Sequence, residues 1–143
     1  MLYLSLLFLH FLGLALGVGT SFAVLQLGAA ARDLPQDERA KFMLRAGAVG
    51  KNGGIGLGLL ILSGLAMLFV RGFSEVMAWG GPAFHAKLTL VVIFIGLFGY
   101  MQTVLKKVRE AGGGPLMARL PKLSAALLVL GLLIMLCAVI AFK

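Results

Sequence analysis

Four apolar runs divided by short charged segments constrain this chain more than anything else in it: Leu2 to Ala31, Gly53 to Val70, Ala83 to about Leu105, and Pro121 to Phe142. About 20 apolar residues in an α-helix match a ~30 Å hydrocarbon core, and a helix pairs its own backbone groups where no water is present to do so. The pattern predicts an all-α fold, an integral membrane four-helix transmembrane bundle that forms a single domain over residues 1–143. Composition excludes the soluble alternative, because 61% of residues are hydrophobic and 13% charged, against about 45–50% and about 25% in soluble domains.

The first run has a rival reading, since Ala29-Ala30-Ala31 resembles a signal-peptide cleavage site. No basic segment precedes it and the run is too long for a signal-peptide core, so it is expected to stay as a helix. Pro35 marks a break after it, and Asp33 or Asp37 is placed to cap a short helix running toward Lys51. The second run is short and glycine-rich, spanning with little tilt to spare. Gly72 to Pro82 reads as a loop carrying the interfacial anchor Trp79, and Gly112 to Pro115 reads as a turn.

Cations sort by loop. Arg32, Arg39, Lys41, Arg45 and Lys51 lie in loop 1, and Lys106, Lys107, Arg109, Arg119 and Lys122 in loop 3, whereas loop 2 has Arg71 alone. The positive-inside rule then puts loops 1 and 3 in the cytoplasm and both termini outside. This accounts for the net charge of +8 without nucleic acid, for which a continuous basic stripe with interleaved aromatics is missing. The lipid bilayer is the partner such a chain requires.

Most motifs resolve to packing. Gly13/Gly17, Gly17/Ser21 and Gly54/Gly58 are small-xxx-small pairs that let helices 1 and 2 approach closely, or alternatively leave room for a flat ring. Gly50-Lys51 and Gly54-Ile55-Gly56 only superficially suggest phosphate-binding loops, since no strand precedes them and no Ser or Thr follows Lys51. Cys137, the single cysteine, rules out an internal disulfide and any cysteine-pair metal or redox motif.

Ionisable groups inside apolar spans carry more information, because burying them costs several kcal/mol on insertion scales. His10, His85 and Lys87 all fall in the half of the bundle away from loops 1 and 3. His10 sits about 12 Å in from the start of helix 1 at ~1.5 Å per residue. His85 and Lys87 are about 200° apart around helix 3, so only one of them faces a site shared with His10. Bland readings stand beside each: Lys87 snorkels to the headgroups, His85 is interfacial, and His10 is a core histidine with a hydrogen-bond partner. The functional reading is a haem b or porphyrin site, with His10 and His85 as iron ligands and Arg71 and Lys87 meeting the propionates. His10 is otherwise a proton relay.

The stretch Phe84-His85-Ala86-Lys87-Leu88, followed by an apolar run and Gly99-Tyr100, resembles the HemJ-type protoporphyrinogen oxidases and, more loosely, the CopD-like small four-helix proteins of the bacterial inner membrane. In the HemJ-type family, a histidine in the outer half of the first helix and a lysine opening a later helix form the functional pair. By motif position the resemblance implies His10 and Lys87 as the catalytic residues, with His85 in the same motif. A Pro-Arg step ending the first helix and a histidine late in the lysine-bearing helix are family features with no counterpart here, where Gly13 to Gln26 and Tyr100-Met101-Gln102 stand. The competing expectation is a non-catalytic accessory or scaffold subunit, packing against a larger membrane complex or as a homo-oligomer. A transporter is disfavoured because no span contains an acidic residue.

Overall fold

The computed structural model describes residues 1–141; Phe142, expected to end the last helix, lies outside the described residues. The elements are α1 (Leu2–Ala30), α2 (Gln36–Ala46), α3 (Gly50–Arg71), α4 (Phe73–Trp79), α5 (Gly81–Glu110), a 3₁₀ turn (Pro115–Arg119) and α6 (Leu120–Ala141), with no strand among the described residues. Four segments are long and apolar enough to cross a membrane: α1, the combined α2–α3 segment, α5, and α6 with its preceding turn. The expected all-α four-helix bundle is the fold.

Differences at the element ends have local causes. α3 begins at Gly50 rather than Gly53 because tight i to i−3 bonds link it to α2, with Ala48 N–H donating to Arg45 O (3.1 Å) and Val49 N–H to Ala46 O (3.0 Å). α5 continues past Leu105 through Lys106, Lys107 and Arg109, since cations are good helix formers and favour the negative end of the helix dipole. It stops where Gly112 turns to φ +64°. There Gly113 N–H donates to Val108 O (2.9 Å) and Gly112 N–H to Arg109 O (3.2 Å), a Schellman closure. Loop 2 is more regular than expected, because α4 occupies most of it, opened by Gly72 at φ +87°. Neither Asp33 nor Asp37 caps α2. Its N-cap is Pro35, with no side-chain cap bond, and Asp37 and Glu38 lie in its first turn, where their charge complements the dipole.

The bundle is two antiparallel pairs, α1 with α3 and α5 with α6, joined along α1 and α6. The α1–α3 register is constant: the Arg71 guanidinium lies over the Tyr3 ring at 4.6 Å, His10 meets Ser63, and Thr20 lies beside Gly53. In the second pair, Ser124 Oγ donates to Met101 Sδ (3.8 Å) and Phe94 lies across from Gly131. The pairs are most open between α3 and α5, where the Phe98 ring reaches toward Gly53 and Gly54.

Packing is closest where side chains are smallest. A Cβ at Gly13 would stand 2.7 Å from Gly56 O and 2.9 Å from Leu60 N, so α1 and α3 touch backbone to backbone. Of the expected pairs, Gly54/Gly58 is not the one in contact with α1. Gly53 and Gly56 are, and a Cβ at Gly58 would meet nothing within 4 Å. Large apolar side chains point outward instead: Phe69 is 83% exposed, and Leu62 and Val92 are each 69% exposed. Small residues inside and large apolar ones outside is the arrangement of a bundle solvated by hydrocarbon.

Candidate functional site

His10 reaches the interior of the bundle because α1 places it at the crossing with α3, one turn before the Gly13 contact. Its Nδ1 lies 2.9 Å from Ser63 Oγ. Ser63 is itself buried, and its hydroxyl donates back to Leu59 O within α3. A serine has one proton to donate. With that proton directed at Leu59, the Oγ lone pairs are placed to accept from His10 Nδ1. The Leu60 carbonyl adds a second acceptor close to the ring. Gly64 completes the setting, since a Cβ there would stand 3.4 Å from His10 Cε1 and the ring occupies the space its absence leaves.

Lys87 comes in from α5. It is half-buried and lies within electrostatic reach of His10. One imidazole and one hydroxyl thus meet between α1 and α3, with one ammonium of α5 within electrostatic reach, in an otherwise apolar region. Of the two residues expected about 200° apart on this helix, Lys87 is the less exposed, whereas His85 is exposed and packs edge-on against Phe84, ring centroids 6.5 Å apart. Phe84 itself is buried, 4% exposed.

Arg71 lies at the same end of the bundle as His10 but farther out, exposed and stacked on Tyr3. At ~1.5 Å per residue, Tyr3 is about 10 Å along α1 from His10. Of the expected site residues, Lys87 is thus the one within electrostatic reach of His10, while His85 and Arg71 are exposed. No group of three or more His, Cys, Asp or Glu residues that could hold a metal ion occurs among the described residues, so a metal here would depend on very few protein donors. Cys137 is a free thiol on α6, partly buried.

Ser63 is the residue that sequence reasoning missed. A lone hydroxyl in a glycine-rich span usually bonds its own helix, and only the register of α1 against α3 shows that it also meets a histidine. Also unforeseen is a cavity of about 750 Å³ at the opposite, basic end of the bundle, lined by none of His10, His85 and Lys87.

No family model, curated protein or solved structure matches the chain.

Proposed function

We propose that this chain is a membrane protein that binds a b-type haem or porphyrin at His10 and Lys87, in the manner that its resemblance to the HemJ-type oxidases implies. The observation that carries this reading is the hydrogen-bond chain from His10 through Ser63 to Leu59. It anchors the ring through Nδ1, and such a partner on one nitrogen is the usual setting of a histidine that ligates through the other. The donor set fits a haem iron held by a single imidazole. Lys87 supplies a cation for an anionic group such as a propionate. A bound haem would supply one-electron chemistry. What the protein contributes is an oriented lone pair, a nearby positive charge, and an apolar surround that raises the strength of both.

The loop cations support an orientation in a bacterial inner membrane with loops 1 and 3 in the cytoplasm, which places His10 and Lys87 toward the opposite side. Absorption spectroscopy tests the site. Purified full-length protein titrated with haemin in detergent is expected to give a Soret band and, on reduction, an α-band. His10→Ala is expected to abolish both and His85→Ala to leave them unchanged. A wild-type spectrum from His10→Ala, or no spectrum from the wild type, rejects the haem reading, and loss of the spectrum in His85→Ala restores the two-histidine arrangement.

A further inference from the structure

A cavity lies at the basic end of the bundle, between the two helix pairs, and it has a long axis. Along α1 its wall runs from Gly17 to Arg32, about 22 Å at ~1.5 Å per residue. Half of a ~40–45 Å bilayer, headgroups included, is about the same. The cavity is therefore as deep as one leaflet. At about 750 Å³ it falls within the ~300–1,000 Å³ range of ligand sites.

Its polarity changes along that axis. The deep part is walled by apolar side chains and small residues, among them Leu57, Leu60, Phe94 and Leu127, whereas the mouth carries Arg32, Gln36 and Arg39. Charge is sorted at the mouth. α2 presents Gln36, Arg39, Ala40 and Met43 to the cavity, a helical stripe, and its neighbours Asp37, Glu38, Lys41 and Arg45 are not part of the wall; nor is Asp33. The two arginines thus meet the cavity without any of the three acids of the same loop. Neither is in an ion pair among the described residues, where the pair present is Lys106 with Glu110. The neighbouring cations at this end are engaged differently, Arg109 donating to Gly47 O (3.3 Å) and Arg119 to the Tyr100 hydroxyl (3.2 Å).

We propose that this cavity is a binding site for an anionic phospholipid, with an acyl chain lying along α1 as far as Gly17 and the phosphate seated between Arg32 and Arg39. A soluble anion would satisfy the arginines and leave the apolar depth unfilled. A zwitterionic lipid would fill the depth, but its own cation would face the two guanidiniums. Basic pockets between membrane helices select anionic headgroups for this reason.

Native mass spectrometry of the full-length protein, released from vesicles containing equal parts phosphatidylglycerol and phosphatidylcholine, tests the assignment. Wild type is expected to retain one phosphatidylglycerol. Removing two headgroup cations at about 1 kcal/mol each predicts that Arg32→Gln/Arg39→Gln retains roughly 30-fold less, while Lys41→Gln/Arg45→Gln, with the same change in net charge, is unaffected. Gly17→Leu, at a position whose Cβ meets nothing within 4 Å, is expected to exclude the lipid with both arginines intact, and its helical circular dichroism to match wild type. Equal losses in the two double variants, equal retention of the two lipids, or full retention in Gly17→Leu would each overturn the proposal. The readout is independent of haem, so it stands or falls separately from the site at His10.

Discussion

Ser63 shows how one side chain defines a site by what it has already committed. Its proton is directed at Leu59 O, so its oxygen is what it offers to His10. Ser63→Ala removes the acceptor without disturbing the α1–α3 contact, which is made by glycines. Loss of such an orienting partner typically costs about 10–100-fold in ligand affinity. Haemin titration of Ser63→Ala is expected to show a loss in that range with the band shape retained, and Ser63→Thr, which keeps the hydroxyl, to recover most of it. An unchanged affinity in Ser63→Ala would mean that the hydroxyl does not hold the ring. His10 and Lys87 were legible in the sequence because an ionisable group in an apolar run is conspicuous. Ser63 was not, since its role depends on the register of two helices 53 residues apart in the chain, and no local pattern encodes that.

At the scale of elements, the α1–α3 crossing is built from absent side chains. Gly13 and Gly56 each stand where a Cβ would come within 2.7 Å of backbone on the other helix. Backbone cannot move aside as a flexible side chain does. Gly13→Ala and Gly56→Ala are therefore expected to destabilise the fold by about 1–3 kcal/mol through overpacking, measured by unfolding in mixed detergent micelles. Gly19→Ala and Gly58→Ala meet nothing within 4 Å and are expected to be neutral or stabilising by up to about 1 kcal/mol, from helix propensity alone. A similar response at all four positions would refute the packing assignment. The small-residue spacing of α1 pointed to this contact from the sequence. Its partner face on α3 was displaced by one or two residues, from Gly54/Gly58 to Gly53/Gly56, because in a span with so many glycines several stripes satisfy the same spacing. The helix ends were also partly legible: Pro35 and the glycines at 112–114 mark real breaks, whereas α4 was hidden in a stretch too short to show a period.

For the whole molecule, the two ends of the bundle differ in kind. One end holds His10, hydrogen-bonded across the α1–α3 contact, with Lys87 of α5 within electrostatic reach. The other holds a wide apolar cavity with an arginine mouth, at the end where loops 1 and 3 collect nearly all the cations. The four spans were legible from hydropathy alone, since a run of ~20 apolar residues has few other stable uses. The cavity was not, because it arises from the gap between two helix pairs rather than from any one of them. Which end faces which compartment decides the access of each site, and single-cysteine labelling measures it. In a Cys137→Ala background, Ser74→Cys in exposed α4 is expected to react with a membrane-impermeant maleimide added to intact cells. Asp37→Cys in α2, equally exposed, is expected to react only after the cells are permeabilised. The positive-inside rule requires that order, as loop 1 carries the cations and loop 2 little more than Arg71. The reverse order would place the arginine mouth on the outside and His10 and Lys87 toward the cytoplasm. A phospholipid taken up by the cavity, as proposed, would then come from the outer leaflet, and any haem or porphyrin at His10 would enter from the cytoplasmic face.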